Sequence, residues 1–206
     1  MNKYIDKFLL HSLALTLSLL SVFAIFKFHD YMDNYEIGIL VGATILFSWL
    51  GKTWLNFGRF FIASLILSFI SIYIYQGNLM QAENNFFLKY FLSSQSAIMW
   101  MSALFPLSLI IYWISLFSKQ TFYENLASAL VWIAALMGLL GLLVRWFESY
   151  LISIDIGHIP ISNLYEVFVL FCLITSLMYL YYEQKMNTKK MGPFVLIIIS
   201  AAVAFL

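Results

Sequence analysis

The chain is a succession of apolar runs, several of them close to the length of a membrane-spanning helix. Such a helix needs about 20 mostly apolar residues to cross the hydrocarbon core. Of the 206 residues, 63% are hydrophobic and 10% are charged, whereas a soluble domain is about 45–50% apolar and about 25% charged. The sequence also lacks the alternating strands of about ten residues that build outer-membrane barrels. It therefore predicts an all-α, polytopic integral membrane helix bundle.

The apolar runs predict six complete spans and a partial seventh. The complete spans are residues 8–26, 37–54, 60–75, 97–117, 126–144 and 164–182, and the partial span covers 193–206. Gly38 and Gly42 give the second span a spacing that lets helices approach closely, and Pro106 predicts a kink in the fourth. The last run has 14 residues, about 21 Å against a core of about 30 Å. We therefore expect the sequence to be the front part of a longer protein.

The placement of lysine and arginine predicts a cytoplasmic N-terminus, because basic residues concentrate on the cytoplasmic side of membrane proteins. With this orientation, and if all six spans are real, eight basic residues are inside and three are outside. The inner set is Lys3, Lys7, Lys52, Arg59, Lys119, Lys185, Lys189 and Lys190, and the outer set is Lys27, Lys89 and Arg145. Residues 145–163 are then predicted on the outer face.

Other features carry less information about function. The net charge of +1 gives no case for nucleic acid, and the single cysteine, Cys172, excludes a disulfide or a CxxC pair within the chain. His11 is read as a helix-end residue, and the acidic loop after His29 as solvated. Aromatic residues between the third and fourth spans predict a short helix in the outer interface or a simple aromatic anchor.

The segment 145–166, RWFESYLISIDIGHIPISNLYE, concentrates the polar chemistry. Asn163 and Glu166 have the spacing of a capping box, in which each side chain bonds the backbone N–H of the other. Arg145 is expected to end the fifth helix and to pair with Glu148. Trp146, Phe147, Tyr150 and the isoleucines 152, 154 and 156 predict an apolar face in the interface.

Two interpretations of this segment remain open on physical grounds. The aromatic rings of this segment, the Arg145 guanidinium, the His158 imidazole and a helix N-terminus suit a flat apolar ligand with carboxylates, as haem is. The alternative is an interfacial anchor with a capped helix and no ligand.

The sequence GHIPISNLYE at 157–166 resembles the GHxPxSNxYE signature of the CcsA/ResC family, which handles haem in System II cytochrome c maturation. Residues 31–42, 75–105 and 143–152 resemble the type often named CcsB, found in β-proteobacteria and some relatives. The resemblance divides the chain into a four-span membrane region, 1–121, and the start of the cytochrome c assembly domain, 122–206, incomplete at its C-terminus.

The resemblance implies a bacterial inner-membrane subunit that delivers b-type haem to the outer face. There it supports thioether attachment to the CxxCH motifs of apocytochrome c. The implied partners are a ResB-like membrane protein, apocytochrome c, a thiol-reducing thioredoxin-like protein and the lipid bilayer. The implied haem-contacting residues are Arg145, Trp146, His158, Asn163, Tyr165 and Glu166, with no catalytic residue and no resident metal.

The sequence departs from the family pattern in one respect. The tryptophan-rich WGxxWxWD segment and its flanking histidines are absent from the 206 residues, and we expect the haem axial ligands to lie beyond Leu206. His158 is then a neighbour of the haem path, and residues 1–206 alone are expected to lack the holocytochrome c synthase activity of whole family members. The alternative function is a haem-free membrane scaffold or a small-molecule transporter subunit.

Overall fold

The computed structural model of the chain describes residues 3–28, 33–118, 120–153, 157 and 159–206, without the side chains of 3–12 and 28. All regular elements in these ranges are helical: α1 (Lys3–Phe28), α2 (Asn34–Thr53), α3 (Leu55–Tyr75), α4 (Gln81–Asn84), a π-helix (Leu88–Leu92), α5 (Ser94–Ser118), α6 (Thr121–Ile152), α7 (Leu164–Met186) and α8 (Gly192–Val203). The predicted all-α class is confirmed.

Five of these helices, α2, α3, α5, α6 and α7, are long and apolar enough to cross a membrane. The described apolar parts of α1 and α8 are shorter. The structure therefore has the helices of a multi-pass membrane protein. Helix α6 has 32 residues, about 48 Å at 1.5 Å per residue, which exceeds a hydrocarbon core of about 30 Å. The prediction that Arg145 ends the fifth helix is wrong, since α6 continues for two more turns to Ile152.

By its internal contacts the chain divides into two compact units, residues 1–63 and 64–206. In the first unit, α1 packs on α2, and a hydrogen bond joins the hydroxyls of Ser21 and Thr44. The predicted connection between the second and third spans is reduced to Trp54, where the backbone is extended. The family-based division at 121/122 concerns homology rather than contacts and stays a prediction.

The second unit is built around the packing of α5 on α6. Gly138 and Gly141 allow the close approach, because a Cβ atom there would lie 2.7 Å from Met101 Sδ and 2.6 Å from Ile98 Cγ1. By contrast, a Cβ at Gly38 or Gly42 would meet no described atom within 4 Å. The predicted Gly38-x-x-x-Gly42 spacing is therefore not used for close packing among the described residues. Helix α8 packs against α5 and α7.

The connection between α3 and α5 folds back into this unit. Leu88 and Leu92 of the π-helix lie in one core cluster with Tyr75, Leu140 and Val144. Short helices are present between the third and fourth spans, as α4 and the π-helix, and the predicted location in the outer interface stays a prediction. Helix α5 then runs unbroken through Pro106 from Ser94 to Ser118.

Candidate functional site at the start of α7

Two side chains, those of Asn163 and Glu166, accept hydrogen bonds from backbone N–H groups at the start of α7. Asn163 has extended backbone angles, and its Oδ1 accepts a hydrogen bond from the N–H of Glu166 at 2.8 Å. The Glu166 carboxylate accepts from the N–H of Ser162 at 3.2 Å, one residue before the donor that a capping box uses. The predicted N-cap by Asn163 is therefore present, and Glu166 reaches back to the N–H of Ser162, where the prediction had the N–H of Asn163.

Arg145 of α6 pairs with Glu166 of α7. Its Nε lies 3.5 Å from Glu166 Oε1, and the side chains are 43% and 2% exposed. A carboxylate buried this deeply needs a cation or several hydrogen bonds, and Arg145 and the N–H and hydroxyl of Ser162 supply them. The terminal guanidinium nitrogens make no hydrogen bond or ion pair within the described part of the chain.

The predicted pairing of Arg145 with Glu148 is wrong. Glu148 bonds α3 and α5 instead: its Oε1 accepts from the hydroxyl of Tyr75 at 2.5 Å and from the N–H of Ser94 at 3.1 Å. The Ser94 hydroxyl bonds the other carboxylate oxygen. Ser94 is the first residue of α5, and the positive end of a helix dipole favours an anion there. Sequence reasoning missed this role because the partners are 54 and 73 positions away.

Trp146 lines an apolar groove between α3 and α6. The groove has a volume of about 310 Å³ and a wall from each helix, with residues spaced so that they share one face. The walls are Leu65, Ser68, Phe69 and Ile72 from α3, and Leu143, Trp146, Phe147 and Tyr150 from α6. Consecutive helical residues point about 100° apart, so Trp146 faces the groove while Arg145 faces α7.

The remaining predicted site residues take different positions. Tyr165 is partly exposed and lies within electrostatic range of Arg145 and Glu166. Gly157 packs on the ring of Tyr150, where a Cβ would come within 2.2 Å of Cδ1. His158, Ile154 and Ile156 lie outside the described residues. The structure thus brings Arg145, Asn163, Tyr165 and Glu166 together and places Trp146 in the neighbouring groove.

A second buried carboxylate lies toward the other end of α7, and sequence reasoning missed it. Glu183 is 5% exposed and accepts hydrogen bonds from the hydroxyls of Tyr112 at 2.9 Å and Ser128 at 2.6 Å. Tyr179 donates in turn to the Tyr112 oxygen at 2.9 Å. The available signal was an acid directly after the last complete apolar run, 164–182, at a level where membrane helices rarely place an ionisable side chain without partners.

Fold and composition together define the class of this chain, a multi-pass helical membrane protein. Comparison with models of protein families, with curated proteins and with solved structures finds no match to the chain.

Proposed function

We propose that the chain is a haem-handling membrane subunit of cytochrome c maturation, of the CcsA/ResC type. In this proposal six spans and a partial seventh cross the bacterial inner membrane from a cytoplasmic N-terminus, and residues 145–163 are periplasmic. The subunit carries haem to that face and presents it to apocytochrome c together with a ResB-like partner and a thiol-reducing protein. The resemblance of 157–166 to GHxPxSNxYE motivates the proposal.

The observation that carries the proposal is the state of Arg145 beside this signature. Glu166 engages Nε, and the side chain remains 43% exposed. The terminal nitrogens are thereby available to a ligand, and a guanidinium binds a carboxylate through two parallel hydrogen bonds. A haem propionate offers such a carboxylate, while the pair with Glu166 fixes the orientation of the guanidinium.

The α3–α6 groove supports the same function from the apolar side. Its walls are almost entirely aliphatic or aromatic, which suits the body of a flat apolar ligand. Trp146 and Arg145 are neighbours on α6, so one helix presents an aromatic surface and a cation at the same level. The described residues thus suit binding and orientation of haem, and the iron would be ligated elsewhere.

The second candidate function is a haem-free scaffold or transporter subunit. Glu148 and Glu183 favour it, since both carboxylates are bonded by hydroxyl groups within the bundle. Ionisable groups inside membrane proteins often mark the path of an ion or substrate. The two functions differ in a simple observable, the stoichiometric binding of haem.

The experiment is haem loading of the purified protein with its ResB-like partner, followed by the Soret absorbance. We expect Arg145→Ala to lower haem loading per folded protein about tenfold, which corresponds to about 1.4 kcal/mol, and Arg145→Lys, which keeps a cation beside Glu166, to recover part of it. Lys185→Ala, near the other end of α7, is the matched control and should load normally. Absence of a Soret band from the well-folded, partnered wild type would favour the haem-free function.

A further inference from the structure

The connection between α3 and α5 carries four aromatic rings at the protein surface, and these pack on one another and on a fifth ring from the first turns of α5. This aromatic shelf consists of Phe86, Phe87, Tyr90, Phe91 and Trp100. Phe86 lies 5.0 Å from Tyr90 between ring centroids, and Phe91 stacks on Trp100 at 5.8 Å with an interplanar angle of 4°. Despite these contacts Phe86 is 63% exposed and Phe87 is 58% exposed.

The shelf cannot turn into the core, because the opposite face of the same segment already fills it. Leu88 is fully buried and Leu92 is 9% exposed, and both pack in the cluster around Tyr75 and Val144. The Ser71 hydroxyl also holds the carbonyl of Leu92 at 2.8 Å. The rings therefore face the surroundings of the protein as a fixed surface.

We propose that the aromatic shelf binds the interfacial layer of the lipid bilayer, between headgroups and acyl chains. The segment joins the end of α3 to the start of α5, and both helices are long and apolar enough to span. The shelf is thus continuous with the lipid-facing surface of two spanning helices, at the level where they leave the membrane. Aromatic residues concentrate at this level in membrane proteins.

The depth of the shelf fits this layer. Trp100 is six residues after Ser94, the first residue of α5, which corresponds to about 9 Å along the helix. An interfacial helix buries its apolar face about 5–10 Å into the headgroup and acyl boundary. The indole Nε1 donates to the carbonyl of Tyr90 at 2.7 Å. The N–H of Trp100 therefore has a hydrogen-bond acceptor within the protein and needs none from water at that depth.

The rings, rather than charge, supply the attraction. The segment carries Glu83 and Lys89, whose charges cancel, and Lys89 lies 5.9 Å from the centroid of the Tyr90 ring. An electrostatic attachment to anionic lipid takes a cluster of basic residues. We therefore expect the shelf to bind zwitterionic and anionic bilayers alike.

The test uses Trp100 as the sole tryptophan, with the other five changed to phenylalanine, in bilayers of phosphatidylcholine brominated near the glycerol or near the chain end. We expect the shallow bromines to quench Trp100 about twofold more than the deep ones, with no change when anionic lipid is added. The matched control moves the indole to Leu107, 13 residues into α5 and 45% exposed, by Trp100→Phe with Leu107→Trp. There the deep bromines should quench more.

Three results would overturn the proposal. Quenching by aqueous acrylamide but by neither lipid means that the shelf faces water. Quenching by no reagent means that another protein covers it, and stronger quenching by the deep bromines means that it lies in the hydrocarbon. If the five substitutions prevent folding, a nitroxide at Phe87→Cys in a Cys172→Ser background replaces Trp100. Its accessibility to oxygen and to a water-soluble nickel chelate should then be intermediate, and the same label at Leu107→Cys should meet oxygen alone.

Discussion

The Tyr75 hydroxyl donates to Oε1 of Glu148 at 2.5 Å, and the same carboxylate receives the first N–H of α5. One acidic residue of α6 thereby joins the end of α3 to the start of α5. The join fixes both ends of the connection that carries the aromatic shelf. It also leaves Arg145, one turn earlier on α6, free to pair with Glu166.

We predict that Glu148→Gln destabilises the protein. The amide can still accept from Tyr75 and the Ser94 N–H through one oxygen, but it places an NH2 group where Oε2 now accepts from the Ser94 hydroxyl, and it removes the charge that strengthens all three bonds. Hydrogen bonds to a charged group contribute about 1.5–3 kcal/mol, more than those to a neutral one. Thermal unfolding in detergent should show a lower midpoint. Glu83→Gln, an exposed acid of α4, is the control and should leave the midpoint unchanged. Equal midpoints for the two variants would contradict a structural role for Glu148.

The hydrogen bonds that link Glu183, Tyr112, Ser128 and Tyr179 should contribute to stability in a coupled way. Tyr112→Phe removes a donor to Glu183 and the acceptor of Tyr179 at once, so we expect a loss of about 1–3 kcal/mol. Tyr182→Phe, an exposed neighbour at 41%, should be neutral.

A double-mutant cycle of Tyr112→Phe with Glu183→Gln measures the coupling between the two side chains. Contacting residues in one network typically couple by about 0.5–3 kcal/mol. Additive losses would show that the two residues act independently.

The sequence predicts where most helices lie along the chain, but it does not predict which side chains bond each other between helices. Apolar runs of about 20 residues place α2, α3, α5 and α7 within a few residues, and the cap at Asn163 predicts the first residue of α7. Both signals are local. The end of α6 is missed because polar residues inside its last turns resemble a loop by composition.

Whether Glu148 bonds Arg145 or Tyr75 depends on which face of α6 lies against α3. No spacing within the sequence contains that information. The same limit applies to Glu183, whose partners Tyr112 and Ser128 lie on two other helices. The Gly38 and Gly42 spacing, in turn, is a local signal that the described fold does not use for close packing.

The N-cap of α7 makes a separate prediction. Asn163→Ala removes the acceptor for the Glu166 N–H and should cost about 1 kcal/mol. Asn163→Ser keeps a capping oxygen and should recover most of that loss. The measurement is again the unfolding midpoint in detergent, and a fully stable alanine variant would show that the cap adds nothing to the pair of Arg145 and Glu166.

The packing of α5 on α6 gives the last prediction, because the chain supplies its own control. A Cβ at Gly141 would lie 2.6 Å from Ile98 Cγ1 and 3.3 Å from the carbonyl oxygen of Ser94. Gly141→Ala must therefore push the helices apart near the contact of Glu148 with Ser94, at a cost of about 1–3 kcal/mol.

Gly42→Ala meets no described atom within 4 Å and replaces a poor helix former with the best one. We expect it to be neutral or slightly stabilising in detergent. A destabilised Gly42→Ala would contradict the open space at Gly42, whereas a stable Gly141→Ala would contradict the close approach of α5 and α6.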